Sequence, residues 1–563
     1  MKVRSLLLAL CAGSAMQAAE ALDARCPQLP EDPAAEVPTD PPWVLLDWPR
    51  LIEGCVPHLQ HDRGKRWPLM IWDVRSGDPF TEKAAKSLLE RGIVAPIRLD
   101  PTAIPVAQQV QKAGAPVILL DARNGSWPYD LAGEPAKWAL SFGKDAQVNE
   151  AWRRVPVPGR LEGWEIAAQR LREILREFRD AGVRVDAVWF DYENAPANVP
   201  YEAAKASREA GKEIPAAALA NAESFDRYRR QLWIQLLSTY IAAPVREFYP
   251  AASVTNWMAV LSSPEIPVVG WNNRALPPTG PTLLSASNPV AYGVDAAFLA
   301  LWDKEAPTDR REIDRAHLHV LLRQVSADAA NRRRIAPQTD AVVWVARDHR
   351  TLTDRTAPSM SRAAYREALR HLWLRGADGM QVYNGLRAGQ SAIALAEVQD
   401  AATVYDELLK HRDYLDQGEV MNLDVPPPQH DGAIWSGLRL GDHALVRAAS
   451  LTGGDVVVEI GGWQGFGLPV TATADGVTYV VRLNREAGRM EIVSSDPHVP
   501  PPAPPAKEAP PPAAEKAEPS DRPAAAAKSA EAEAKPAQGA KKNGDGKPAP
   551  ADRKDEAKAA EKK

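Results

Sequence analysis

Short apolar runs recur between longer stretches of helical periodicity through most of this chain, and that alternation limits its fold more than any other feature. The runs are WPLMIWDV (67–74), GIVAPIRLD (92–100), PVILLDAR (116–123), VDAVWFDYE (185–193), ASVTNWMAV (252–260), PVAYGVDAAF (289–298), DAVVWVAR (340–347) and DGMQVYNG (378–385). They have the length and the branched, aromatic content of buried strands. Several of the segments between them repeat with a helical period. In LEGWEIAAQRLREILREFRDAG, Trp164, Ala167, Leu171, Ile174, Leu175 and Phe178 fall on one face, and Gly182 ends the helix. SRAAYREALRHLWLRGADG behaves similarly, with Ser361 as N-cap and Gly376 as the stop. Strands alternating with helices predict an α/β fold with a parallel sheet, and eight such runs predict a (β/α)8 TIM barrel over 43–400.

The texture changes after Asp400. TVYDELLKHRDYLDQ reads as a linking helix within 401–418. Period-two alternation with turns such as Ala-Asp-Gly then predicts a small antiparallel, sandwich-like β-domain over 419–496. Trp435 and Trp463 could bind carbohydrate there, but packing against the barrel is the expected use of their rings. The ends of the chain are of a different kind. Lys2, Arg4, an apolar core and Ala19-Glu20-Ala21 have the order of a secretory signal peptide over 1–21, so the protein is expected to be secreted or periplasmic. Residues 22–42 read as a Pro-rich linker, and 497–563 as a disordered Pro, Ala, Lys and Glu tail. That tail is either a spacer associating the protein with the cell envelope or a solubilising extension.

The composition excludes several partners and cofactors. A formal net charge of −5 and a pI near 6.1 give no basic stripe, so no nucleic acid is expected. Beyond the leader no run approaches the roughly 18 apolar residues of a membrane span. Cleavage leaves Cys26 and Cys55, which either pair or stay as thiols. There is no CxxC, His317 and His319 diverge on a helix, and no GxGxxG or GxxxxGK[ST] follows a strand, so neither metal nor cofactor is expected. A cation held by Asp73, Asp121 and Asp191 ranks below direct chemistry by those acids. The text Gly389-Gln390-Ser391-Ala392-Ile393 lacks the closing Gly of a serine-hydrolase elbow.

What remains is concentrated at the carboxyl ends of the strands, which form the mouth of such a barrel. Asp73, Asp121, Asp191, Glu193, Asn256, Trp257, Asp295, Tyr383 and Asn384 fall at or near those ends. Carboxyls that hydrogen-bond hydroxyls, beside rings that stack on C–H surfaces, suit a neutral carbohydrate. The chain carries 17 Trp against 8 Phe, and Trp127, Trp189, Trp257, Trp271 and Trp344 lie near these ends, although core packing is the default for any single one. Asp191 and Glu193 stand two apart on one strand and point the same way. Their mutual repulsion raises one pKa, which makes Glu193 the general acid and Asp191 the group that orients or polarises. Other readings are a structural ion pair with Arg123 or Arg347, a retaining glycosidase with Asp191 as nucleophile and Asp295 as acid, and a non-catalytic glycan-binding barrel.

The stretch resembles two families of glycoside hydrolase. Substrate-assisted chitinases end a barrel strand in Asp-x-x-Asp-x-Asp-x-Glu, and Asp186, Trp189, Asp191 and Glu193 occupy those positions here, with Trp in place of the second acid. Asp191-Tyr192-Glu193 is similar to the Asp-aromatic-Glu of hyaluronidases, whose layout is also similar over 68–395. The resemblance implies hydrolysis of N-acetylhexosamine-containing glycans by neighbouring-group attack. Glu193 would donate the proton, Asp191 would stabilise the oxazolinium-like intermediate, and Tyr383 would hydrogen-bond the acetamido group. DAVVWVARDH ends the seventh strand without the Glu that separate-nucleophile enzymes carry there, and Asp348 is the nearest acid.

Overall fold

The computed structural model describes residues 47–77, 79–121, 137, 139–141, 154–191, 201–256, 284–292, 308–347, 360–383, 391–427, 432–451 and 453–498. The order is α1 (Trp48–Cys55), β1 (Leu69–Ile71), α2 (Glu82–Leu89), β2 (Ile93–Val94), β3 (Ile97–Arg98), α3 (Ile104–Lys112) and β4 (Ile118–Asp121). A hairpin of β5 (Ala139–Ser141) and β6 (Arg154–Pro156), α4 (Glu162–Asp180), β7 (Ala187–Phe190), α5 (Ala222–Leu237) and β8 (Ser253–Asn256) follow. Next come β9 (Ala286–Ser287), β10 (Val290–Tyr292), α6 (Arg310–Ile335), β11 (Asp340–Ala346), α7 (Arg362–Trp373), β12 (Gly379–Val382), α8 (Ser391–Leu409) and α9 (Arg412–Gln417).

The strands between β1 and β12 form two parallel sheets besides the hairpin. One runs β10-β11-β12-β1-β2, with β9 also on β11, and the other runs β3-β4-β7-β8. Backbone hydrogen bonds pass between them on both sides. Arg98 N donates to Arg75 O at 2.8 Å, and Ser285 N donates to Val254 O at 2.9 Å. Every one of the apolar runs read from the sequence holds a parallel strand. The sixth begins earlier than expected, at Ala286, because Asn288 and Pro289 interrupt it, while 293–298 lie outside the described residues.

Alternation along each strand divides the core in two. Met70, Val94, Ile118, Leu120, Ala187, Trp189, Ala286 and Val342 form one buried cluster on one face. Their neighbours Leu69, Ile71, Ile93, Leu119, Val188, Phe190, Val254 and Val343 belong to the larger cluster that includes the helices. Helix α4 stops before Gly182 and α7 lies between Ser361 and Gly376, as the sequence predicts, and α6 is capped as well. Ser361 Oγ accepts from Ala364 N, Asp309 caps α6 through Arg311 N at 2.7 Å, and Gly182 and Gly376 take positive φ after α4 and α7. All six apolar residues of the α4 face are buried. Residue 400 lies inside α8, so the helix assigned to a linker belongs to the same element as the last stretch of the barrel region. No helix among the described residues is long and apolar enough to cross a membrane.

The C-terminal region is antiparallel. It comprises β13 (Glu419–Val420), β14 (Ala433–Leu440), β15 (His443–Ser450), β16 (Val456–Trp463), β17 (Phe466–Ala472), β18 (Val477–Asn484) and β19 (Arg489–Asp496). The main sheet runs β13-β14-β15-β18-β19 and β16 pairs with β17. Trp463 sits in this region's own core, with Trp435 packed against it, rather than against the barrel strands as expected.

The contact of this region with α7 is polar and deeply buried. Arg447 donates to both oxygens of Glu367 at 2.8 and 2.7 Å, and His371 lies 3.2 Å from the same carboxylate. Arg375, fully buried, donates to Ser436 Oγ at 2.8 Å, Ser326 Oγ at 2.6 Å and the carbonyl of Asp424 at 2.9 Å. Desolvation of Glu367 raises its pKa, but the Arg447 guanidinium overturns that and holds the carboxyl well below the usual range. Burial keeps His371 neutral, so Arg447 supplies the countercharge. Gly476 permits this close approach. A Cβ there would stand 2.5 Å from an Arg447 nitrogen, and the backbone φ is +70°.

Removing one partner of a buried pair leaves a charge uncompensated and costs about 3–5 kcal/mol. Arg447→Ala should therefore lower Tm strongly at pH 7. Because the folded pKa of Glu367 is depressed, its stabilisation is complete above the unfolded value of about 4.3 and is lost as pH falls below it. Calorimetry from pH 7 to pH 3 should show a wild-type decline that Arg447→Ala largely lacks. Gly476→Ala should destabilise at every pH.

Candidate functional site

The carboxyl end of β7 places the central acid. Trp189 belongs to the inner cluster and Phe190 to the helix-side cluster, so the next residue, Asp191, returns to the inner side. Its backbone N–H donates to Asp121 O at 2.9 Å, which carries the ladder past the last paired residue, and only 5% of Asp191 is exposed. Asp186, at the other end of the same run, has a structural task. It accepts from Val117 N at 2.8 Å and pairs with Arg184.

Register separates the remaining acids and amides. Asp121, Phe190 and Asn256 are Cα partners across β4, β7 and β8. By alternation this row faces the helices, with Asp121 and Asn256 both buried, whereas Asp191 lies in the next row. Asp73 is ion-paired with Arg75, whose guanidinium lies over the Phe80 ring at 5.1 Å. Glu193, Trp257, Asp295 and Asn384 lie outside the described residues.

On the opposite strands the mouth is aromatic. Tyr383 stacks on Tyr292 with ring centroids 5.4 Å apart and leans on Trp72 at 5.3 Å, and Trp72 in turn meets Trp344 at 5.5 Å. The rings therefore come from the ends of β1, β10, β11 and β12. Trp344 and Tyr292 are buried, while Trp72 and Tyr383 stay partly open. Tyr383 and Trp344 were singled out from the sequence, but Trp72 and Tyr292 were not. Each stands two residues beyond an in-facing apolar residue, Met70 and Val290, and counting that alternation would have found both. Arg98 was missed too. It pairs in register with the in-facing Leu120 and is exposed at the end of β3.

Below the rings lies an unusual floor. Gln381 is in register with Met70 and Trp344, is fully buried, and has no hydrogen-bond partner for either amide atom among the described residues. Trp189 Nε1 is likewise without one. The adjacent polar groups are satisfied. Thr255 Oγ1 donates to Ala286 O at 2.7 Å, and Asn288 Nδ2 donates to Val342 O at 2.9 Å.

One strongly perturbed carboxyl lies away from the mouth. Burial, assisted by neighbouring Asp378, pushes Asp340 up to about 6, but it sits at the start of β11, at the far end from the rings. Among the described residues no group of three or more His, Cys, Asp or Glu is placed to hold a metal ion. His317 is fully buried, and His319 Nδ1 lies 2.8 Å from Pro426 O. Arg347, at the end of β11, is buried and occupies the helix-side row next to Ala346. Cys26 lies outside the described residues, and with it any pairing to Cys55.

No protein-family model matches the chain, and no curated protein matches its sequence. Solved structures do match. The chain is similar to an α-amylase from Anoxybacillus, at 12% identity and a TM-score of 0.38, over 76% of this chain and 98% of that one. It is similar to an endoxylanase from Clostridium papyrosolvens at 10% identity and a TM-score of 0.34, over 76% and 96%. An α-L-fucosidase from Paenibacillus thiaminolyticus matches at 11% identity and a TM-score of 0.37, over 63% and 51%. Likenesses this loose do not assign an activity.

Two substitutions test the electrostatics inside the strands. Replacing the buried, unpartnered Gln381 by Met removes a desolvation cost of about 1–3 kcal/mol at nearly constant volume, so Gln381→Met should raise Tm by several degrees. A lower Tm would mean that the amide is satisfied in solution. The raised pKa of Asp340 makes the folded state bind more protons than the unfolded one between about 3.8 and 6. Stability therefore falls as pH rises through that window. Asp340→Asn should raise Tm above pH 6 and leave it unchanged near pH 3.

Proposed function

We propose that this chain is a glycoside hydrolase whose strands close into a (β/α)8 barrel with the active site at their carboxyl-terminal mouth. The backbone contacts from Arg98 to Arg75 and from Ser285 to Val254 support closure, because they join the two parallel sheets at both edges. One observation carries the functional reading. Asp191 lies buried on the inner row at the end of β7, and Trp72, Tyr292, Trp344 and Tyr383 gather at the same end of the strands. A sheltered carboxyl opposite partly open rings suits a sugar, which offers hydroxyls to the acid and C–H faces to the rings.

In this reading Glu193, two residues beyond Asp191, is the general acid that protonates the leaving oxygen. Asp191 holds and polarises the acetamido group of an N-acetylhexosamine as its oxygen attacks the anomeric carbon. The carboxylate then stabilises the positive charge of the cyclic intermediate, an effect strengthened by its exclusion from water. Tyr383 supplies a hydroxyl to the same acetamido group. Water opens the intermediate with Glu193 acting as base. The leader sequence fits work outside the cytoplasm, and the C-terminal tail fits a tether to the envelope.

The test is release of 4-methylumbelliferone from N-acetylhexosaminides, galactosides and glucosides by wild type, Glu193→Gln and Asp191→Asn. Loss of a general acid removes roughly 10²–10⁴-fold of rate. Both variants should fall by that order on N-acetylhexosaminides, with wild type inactive on the other sugars. Activity on galactosides or glucosides alone would point instead to Asp191 as nucleophile with Asp295 as acid, and full activity in Glu193→Gln would sink the assignment.

A further inference from the structure

We propose that Gln381 reads a hydroxyl of the bound sugar, from a closed subsite beneath the aromatic rings whose floor is its side-chain amide. Gln381 lies in β12 between Met380 and Val382, which both join the helix-side cluster, so by alternation its side chain enters the inner side. It is fully buried there, and neither Oε1 nor Nε2 has a hydrogen-bond partner among the described residues. Its neighbours in register are Met70 and Trp344, neither of which offers a strong acceptor. Other buried polar side chains of these strands fare differently. Thr255 Oγ1 donates to Asn288 Oδ1 at 2.7 Å, and Asn288 Nδ2 donates to Val342 O at 2.9 Å.

Little separates the Gln381 amide from the mouth. Two residues of strand rise about 6.6 Å, so the layer above Gln381 is that of Trp72 and Tyr383. Both rings are partly open to solvent. Ala346 belongs to the same layer, in register with Tyr292, and the ladder continues through Tyr383 N, which donates to Val345 O at 2.8 Å. Ala346 therefore stands between Tyr292 and Tyr383 and brings only a methyl group. The two tyrosines stack across it with ring centroids 5.4 Å apart. A turn of Tyr383 away from Tyr292 opens a way past Ala346 to the amide.

The amide itself selects the chemistry of its partner. Oε1 accepts and Nε2 donates, so the group that serves both must donate and accept, and apolar walls favour one without charge. A sugar hydroxyl meets these conditions. In the unliganded chain the amide is an uncompensated cost, and in the complex the hydroxyl satisfies it, so Gln381 favours the sugar at the expense of the chain's own stability. This role presupposes the sugar site proposed above and adds to it a residue that selects one hydroxyl.

Isothermal titration of the full chain tests it, with N-acetylglucosamine and its 3-deoxy, 4-deoxy and 6-deoxy analogues as probes. Wild type should bind N-acetylglucosamine more tightly than the analogue that lacks the hydroxyl read by Gln381. Gln381→Met should weaken N-acetylglucosamine about three- to tenfold, the range of one neutral hydrogen bond, and leave the affinity for that analogue unchanged. The other two analogues should weaken as N-acetylglucosamine does. A merely structural role would weaken all four alike. The Tm of Gln381→Met without ligand should be no lower than that of wild type, which separates lost binding from lost folding. Uniform weakening, or unchanged binding of all four probes, would overturn the proposal and leave the sugar site standing. Wild type that binds none of the four would overturn both.

Discussion

Alternation of side chains along β7 is the constraint on which the site depends. Trp189 fills the inside, Phe190 anchors the strand to the helices, and Asp191 returns to the inside with its amide still in the ladder to Asp121. A slip of one residue would exchange these faces, burying the carboxyl among helix side chains and turning Phe190 to the mouth. The mass of apolar side chains in both clusters fixes the register against such a slip. Packing of Phe190 against the helices thus positions the acid that follows it in the chain.

The same frame explains how polar groups are distributed. At the contact of α7 with the β-domain, Arg447 is bound to Glu367 and Arg375 makes a fan of bonds, and burial pulls the Arg375 guanidinium down to about 10. These contacts tie α7 to the β-domain through specific geometry, where an apolar contact would tolerate sliding. Beneath the rings, by contrast, Gln381 and the Trp189 indole have no partner among the described residues. Unsatisfied polarity at the floor of a mouth is a local conflict with stability of the sort that functional sites retain.

Much of the fold was legible in the sequence, because strand and helix periods are local properties. The apolar runs contain the parallel strands apart from β9, the α4 face is buried residue for residue, and Ser361 caps α7 as its hydroxyl suggests. The site was less legible. Proximity to a strand end could be read, but row membership could not, since it depends on pairing with strands far away in sequence. Asp121 and Asn256 therefore looked equivalent to Asp191, yet they share the row of Phe190. Trp72 and Tyr292 were not singled out, because only the meeting of four strand ends makes them a wall. Trp463 joined the β-domain's own core with Ile460, Tyr479 and Leu483, and Trp435 packs against that cluster.

The most direct measurement is a crystal structure of Glu193→Gln with an N-acetylglucosamine oligomer bound. The account predicts a sugar ring over Trp72 and Tyr383, with the Asp191 carboxylate within about 2.6–3.2 Å of the acetamido nitrogen. A sugar bound elsewhere, or an Asp191 side chain turned toward the helices, would contradict it.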